Sequence, residues 1–252
     1  MAPKRYELDE AQWQRIGPLL PGKPGDPGRS GLDNRLFVNG VLWVLRSGAH
    51  WHDLPARYGK YKTVHKRFSR WAKAGVWEKV FTSLIKNRDN QYLMLDSTLV
   101  RAHQQAATGK GGTRNQALGR SRGGLTTKVH MLADSLGRPL RFILTPGQSG
   151  DVLSAPALLE GFTADAVLAD KAYDSNAFRQ VVANTGAKAV IPSNRTRKLE
   201  IPHDRGIYKL RNRIERCFNK LKHFRRFATR YDRRAIHFLS FIHLAAAIIW
   251  MR

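Results

Sequence analysis

The sequence predicts an α/β protein in which a mixed sheet flanked by helices follows an all-helical N-terminal region. Three observations predict it. Residues 1–88 carry apolar side chains at helical spacing, short apolar runs from Tyr92 onward read as strands, and later runs alternate with helix-patterned stretches.

In the N-terminal region, Asp9 is placed to cap a helix bearing Trp13, Ile16, Leu19 and Leu20 on one face. Pro21, Gly22, Pro24, Gly25, Pro27 and Gly28 break it into a loop. A second helix is predicted over residues 33–47, with Leu36, Gly40, Val41, Val44 and Leu45 inward and Gly48 as its stop. Pro55 and Gly59 mark the next turn. Thr63 is placed to cap a third helix with Val64, Phe68 and Trp71 on one side and Lys66, Arg67, Arg70 and Lys73 on the other. A fourth carries Trp77, Val80, Phe81, Leu84 and Ile85. Short helices with a basic third member resemble a helix-turn-helix DNA reader, and a solvated charged face on a small bundle gives the same pattern.

The next segments change period. Residues 92–100, 128–134 and 139–146 read as strands, with Gly137 and Arg138 as a hairpin turn between the last two. A helix over 152–162 precedes a strand over 166–170, and a helix over 175–184 precedes a strand over 188–191. The expected division is 1–88 helical, 89–232 the sheet-bearing core, and 233–252 an apolar helix packed on that core. Within the core, residues 104–127 form a Gly/Arg loop holding Gly109, Lys110, Gly111, Gly112, Arg114, Gly119, Arg120, Arg122, Gly123 and Gly124. Such a loop packs no core but lies close to phosphates easily, and a plain connector has the same composition.

The balance of charge names the partner class. The 252 residues carry a formal charge of +25 with a sequence pI of 11.0, a field that attracts polyanions. The charge is spread along the chain rather than gathered on one amphipathic helix, which favours nucleic acid over a membrane surface. Residues 195–234 are the densest part, with fifteen Lys and Arg against four Asp and Glu. That strip, including Arg225 and Arg226, is expected to border nucleic acid. The apolar stretch 235–251 is interrupted by His237, Ser240 and His243, and reads as a buried helix rather than a membrane span. The polar start reads as no signal peptide. The single cysteine, Cys217, excludes an internal disulfide, fits a reducing compartment and is expected to be a buried apolar residue.

Against this basic background, three carboxylates are placed for metal chemistry. Asp96 follows the apolar run Tyr92-Leu93-Met94-Leu95, and Asp170 follows Ala166-Val167-Leu168-Ala169. Side chains alternate along a strand, so Asp96 and Thr98 face one way while Leu95 and Ser97 face the other. Polar groups at strand ends of α/β sheets commonly build a site, although each aspartate alone could be a turn cap. Glu215 lies on a helix pattern. At about 100° per residue, Tyr208, Arg211, Asn219 and Lys222 fall within roughly 40° of it, while Ile207, Leu210, Ile214, Cys217, Leu221 and Phe224 form a core stripe on a separate side. An Arg211–Glu215 salt bridge would explain that pair but not its recurrence with Tyr208 and Lys222. His103 and His130 could approach this site but are expected to pack, as are Trp51 and Trp250.

Asp96, Asp170 and the array Tyr208-x2-Arg211-x3-Glu215-x6-Lys222 resemble bacterial insertion-sequence transposases with a DDE triad, most closely the insertion-sequence-five family. Residues 49–55 (AHWHDLP) and 119–124 (GRSRGG) resemble further segments of that family, and the similarity covers nearly the whole chain. Asp170-Lys171-Ala172-Tyr173 departs from it mildly, with alanine where many relatives have glycine. The resemblance implies an RNase H-like catalytic core after a helical DNA-binding region. It implies that Asp96, Asp170 and Glu215 are catalytic and bind two magnesium ions, with manganese as a substitute. Tyr208, Arg211, Asn219 and Lys222 would hold DNA near the cut, and Lys66, Arg67, Arg70, Lys73, Arg120, Arg122, Arg225 and Arg226 would bind it elsewhere. The implied activity is cutting of element ends and joining of their 3′ ends to target DNA. Its partners are double-stranded terminal inverted repeats and target duplex, bound by a homodimer in the bacterial cytoplasm at the nucleoid, with no membrane. A structure-selective nuclease, or a DNA-binding protein whose catalysis is silent or repurposed, is the alternative.

Overall fold

A computed structural model describes residues 5–27, 31, 33–109, 112 and 114–252 of the chain. Of the residues singled out above, Gly28, Lys110, Gly111 and the side chain of Arg114 lie outside the described ones.

Asp9 caps α1 (Glu10–Ile16), accepting from the Gln12 backbone N–H while the Gln12 side chain reciprocates. Asp33 caps α2 (Asn34–Ser47) by accepting from Leu36 N–H, and Gly48 ends it in the left-handed region at φ 72°. The third helix differs from expectation. α3 (Tyr61–Lys73) begins two residues before Thr63, with Lys60 at its N-cap and no side-chain cap. Its apolar face still buries Val64, Phe68 and Trp71. α4 (Val76–Leu84) follows Gly75, which bends the chain at φ 68°.

A sheet then takes over. β1 (Tyr92–Ala102) pairs antiparallel with β3 (Gly124–Ala133), and β3 pairs antiparallel with β4 (Pro139–Pro146). The short β2 (Gly119–Ser121), inside the predicted Gly/Arg loop, makes a hairpin with the start of β3. Asp134 closes the β3–β4 turn by accepting from the N–H groups of Leu136 and Arg138, with Gly137 at φ 77°. After α5 (Ala155–Leu159), β5 (Ala166–Leu168) lies parallel to β1. After α6 (Asn176–Asn184), capped by Ser175, β6 (Lys188–Val190) lies parallel to β5. The strand path is therefore β4-β3-β1-β5-β6, antiparallel on one side of β1 and parallel on the other. The helix array continues through α7 (Arg205–Tyr208), a 3-10 turn over Lys209–Arg211, and α8 (Asn212–Lys222). The chain closes with α9 (Arg225–Ala228) and α10 (Ala235–Trp250).

The chain divides into two compact units: Met1–Lys86 with Leu221–Arg252, and Asn87–Lys220. This differs from the division read from sequence. The final helix belongs with the N-terminal helices, where α10 packs on α4, α3 and α2. The reason is its composition. A helix apolar on nearly every side needs partners around its circumference, and α1–α4 alone leave a large aromatic surface to cover. Phe241 stacks on Phe68 at 4.5 Å, and Phe81 stacks on His243 at 5.4 Å. Trp250 is buried and Trp51 stacks against Phe241 at 5.9 Å, so both tryptophans pack as expected. Cys217 is buried, as expected, and burial pushes its thiol up to about 12. No helix among the described residues is long and apolar enough to cross a membrane.

Candidate active site

The register of the sheet brings the two aspartates together. Met94 of β1 sits opposite Leu168 at the end of β5, so Asp96 and Asp170 each lie two residues beyond a paired position on neighbouring strands. β1 does not stop at Asp96, as the apolar run suggested. It continues to Ala102 against β3 after β5 has ended. Asp96 thus sits on the strand where the sheet changes from parallel to antiparallel pairing, at a level where its parallel neighbour β5 has ended.

Asp96 accepts from the Ser97 backbone N–H at 2.8 Å and lies 3.1 Å from the Arg211 guanidinium. Arg211 also pairs with Glu215 across one helical turn, so one guanidinium spans the carboxylate of the strand and that of the helix. Asp170 uses one oxygen to cap the turn Lys171–Tyr173, accepting from Ala172 N–H at 2.9 Å, and so fills the capping role as well. Burial pushes the Asp96 carboxyl up to about 6. The Arg211 charge and the Ser97 N–H oppose that shift, and the nearby Asp170 and Glu215 charges add to it. All three predicted carboxylates therefore lie close enough to feel one another at Asp96.

The donor set suits a hard divalent cation, since it is all carboxylate oxygen. Among the described residues, no three His, Cys, Asp or Glu side chains are arranged to hold an ion. The positive charge between Asp96 and Glu215 comes instead from Arg211, whose side chain is 15% exposed. That placement sets a positive charge against Asp96 and favours its carboxylate form.

The remaining predicted residues separate into groups. Tyr208 is half-buried with its ring 5.8 Å from the Arg211 guanidinium, while Asn219 and Lys222 are exposed on α8. The 3-10 turn before α8 shifts the helical register, which leaves Ile207 and Leu210 only half-buried rather than in the core stripe. Lys66, Arg70 and Lys73 are exposed on α3, and Arg120 and Arg122 on the β2–β3 hairpin. Arg67 instead packs over Phe37 at 4.4 Å and Trp71 at 4.7 Å, and donates to Asn34. Arg225 is exposed, but Arg226 is 5% exposed, paired with Asp232 at 3.1 Å and donating to Ala49 O at 2.9 Å. The expectation that Arg226 borders a polyanion fails, because its guanidinium is used up inside the helical unit. His130 is fully buried, and burial lowers it to about 4, so it packs as a neutral ring.

The sequence reading missed a fourth carboxylate. Asp151 accepts from Ser97 Oγ at 2.8 Å and pairs with Lys128 at 2.8 Å, on the opposite side of the strand from Asp96. Its signal in the sequence is weaker than that of Asp170: it follows the strand only after the turn Gly147-Gln148-Ser149-Gly150 rather than directly after an apolar run. Tyr173 closes the segment Asp170-Lys171-Ala172-Tyr173. Its hydroxyl is buried without a hydrogen-bond partner, and burial first, then Asp151, Asp96 and Asp170, raise its pKa.

A five-strand path of this order, with carboxylates at the switch from parallel to antiparallel pairing and on the following helix, defines an RNase H-like protein. Residues 8–81 match the family described as "Putative transposase of IS4/5 family", and residues 88–250 match "Transposase DDE domain". The chain belongs to the DDE-domain transposases of bacterial insertion sequences. It is similar to the "Putative transposase for insertion sequence element IS6501" of Brucella ovis, with 44% identity over 130 residues that span 51% of this chain and 100% of that protein. "Uncharacterized protein y4sN" of Sinorhizobium fredii is 44% identical over 115 residues, 44% of this chain and 90% of that protein. Among solved structures, the piggyBac transposase synaptic complex with hairpin DNA aligns over 98% of this chain and 72% of that chain. Its TM-score is 0.53 at 10% identity, a likeness of fold alone.

Proposed function

We propose that this transposase cuts the ends of an insertion sequence and joins the freed 3′ ends to target DNA at Asp96, Asp170 and Glu215. The observation that carries the reading is the convergence on Asp96, which feels the charges of Asp170 and Glu215 and shares Arg211 with Glu215. Asp96, Asp170 and Glu215 would hold divalent cations, most simply magnesium, which supply activation of the attacking oxygen and stabilisation of the leaving one. In the first reaction, water attacks phosphorus, the P–O3′ bond breaks, and a 3′-hydroxyl is released. In the second, that hydroxyl attacks a target phosphodiester and displaces its O3′ in turn.

The residues of the chain orient the strands. Tyr208, Asn219 and Lys222 would hold DNA near the cut, and Arg211, now held between Asp96 and Glu215 beside the Tyr208 ring, would join them once cations take its place between those carboxylates. Exposed Lys66, Arg70 and Lys73 on α3, Arg120 and Arg122 on the hairpin, and Arg225 supply sequence-independent attraction. Pairing two element ends favours a homodimer on DNA. The test is a labelled duplex carrying the terminal repeat that flanks this gene, with magnesium or with EDTA. Metal-dependent cuts at the element boundary together with joined products are expected. Tight binding without cutting in magnesium or manganese would replace this reading with that of a silent DNA-binding protein, and cutting without joining would leave a nuclease.

A further inference from the structure

Behind the catalytic strand lies a second polar cluster, on the face opposite Asp96. Asp151 is its hub. One oxygen accepts from Ser97 Oγ at 2.8 Å, bridging 54 residues of sequence, and lies 2.8 Å from Lys128 Nζ. Lys128 is anchored further by donating to Ser149 O at 2.6 Å, in the turn that presents Asp151. His130, buried beside the cluster, hydrogen-bonds Thr145 Oγ1 at 2.8 Å through Nε2 and stays 3.9 Å from Asp151, so it walls the cluster without taking its acceptor. Both Asp151 and Lys128 are largely shielded, at 21% and 13% side-chain exposure, where hydrogen-bond geometry is enforced more strongly than at a surface.

Ser97 is the only residue joining this cluster to the catalytic face through its own bonds among the described contacts. Its side chain is held by Asp151 and its backbone N–H donates to Asp96 Oδ1 at 2.8 Å. We propose that Asp151 is a positioning residue of this transposase, fixing Asp96 through Ser97 so that the carboxylate is aimed toward Asp170 and Glu215 as a ligand. Lys128, 2.8 Å from Asp151 and anchored on Ser149 O, holds Asp151 in place, as outer partners do for carboxylates and imidazoles at metal centres. This inference rests on the proposed site at Asp96.

The test uses the full chain with Ser97→Ala, Ser97→Thr and Asp151→Asn. Divalent-cation binding is read by calorimetry with magnesium or manganese, alongside thermal melting, DNA affinity, and the metal concentration giving half-maximal cleavage. Ser97→Ala is expected to weaken cation binding about tenfold to a hundredfold, the loss typical of removing an outer partner. Melting temperature and DNA affinity should stay near wild type, because one partly buried hydroxyl is removed from an otherwise intact sheet. Ser97→Thr keeps the hydroxyl and suits a strand, and should restore binding. Asp151→Asn retains an acceptor for Ser97 but leaves Lys128 only its bond to Ser149 O, and should fall between the two. Cation binding unchanged in Ser97→Ala overturns the proposal. So does a weakening that Ser97→Thr fails to restore, or one that only follows a fall in melting temperature. Absence of metal-dependent cleavage by the wild type would instead count against the proposed function, and the calorimetry would still decide this inference.

Discussion

At the scale of single residues, substitutions at Glu215 and Asp96 test the proposed site separately. Glu215 is half exposed and Asp96 is not, so the two report differently on the same site. Glu215→Gln keeps the shape of the side chain and an acceptor for Arg211, and should leave DNA affinity close to wild type while removing cleavage. Equal cleavage by mutant and wild type in clean preparations would discard the assigned role. Asp96 carries the pH argument. Its folded pKa of about 6 lies above the ordinary 3.8, so the folded state binds more protons across that interval. The stability linked to Asp96 is present below pH 3.8 and is lost as pH rises through 6. In metal-free buffer, Asp96→Asn should therefore stabilise the chain at neutral pH by up to about 3 kcal/mol, roughly 1.4 kcal/mol for each pKa unit removed. The gain should vanish near pH 4. Melts across that range check it, and a mutant that melts lower than wild type at pH 7.5 would contradict the shift.

Elements decide which basic residues are available. On α3, the spacing that buries Val64, Phe68 and Trp71 turns Lys66, Arg70 and Lys73 to solvent, and an exposed cation contributes little to folding. Replacing these three by glutamine should weaken DNA binding for all sequences and lower the salt slope by up to about three phosphate contacts. The melting temperature should hardly move. An unchanged slope would place DNA on another surface. Arg226, one residue from exposed Arg225, should behave in the opposite way. Removing it leaves Asp232 buried without its partner, and breaking such a pair typically costs about 3–5 kcal/mol. Arg226→Ala should lower the melting temperature sharply, whereas Arg225→Ala should alter only salt-dependent binding. If both substitutions affected DNA binding alike at equal stability, the buried assignment of Arg226 would be mistaken.

Over the whole molecule, buried histidines set an acid limit. Burial lowers His130 in the sheet unit, and His237 and His243 in the helical unit, to about 4 from an ordinary 6.5. Each is neutral when folded and free to protonate when unfolded. Their stability is complete above pH 6.5 and is lost as pH falls toward 4. The helical unit holds two of the three and should be the first to melt on acidification. Far-UV and near-UV melts between pH 7 and 4 would show this, with His243→Phe, which can stack on Phe81, flattening the decline. A stability independent of pH over that interval would refute the burial of these rings.

Periodicity and residue type were enough to read the helices of residues 1–88, the order of strands and helices that follows, and the three carboxylates with Arg211. These signals are local: a cap such as Asp9, a stop such as Gly48, an apolar run ending in aspartate, a polar face recurring at helical spacing. The depth of a cation is not local. Arg225 and Arg226 are neighbours of one type, and only the packing of Asp232 and Ala49 around one of them separates a surface charge from a buried pair. The place of α10 among the N-terminal helices, and the approach of Asp151 to Ser97 across 54 residues, likewise depend on contacts between distant segments. The level placement of Asp96 and Asp170 is also a matter of strand register. An apolar run predicts that a strand forms but leaves open how far it slides along its neighbour, and that choice is made by the side chains packed on both faces of the sheet.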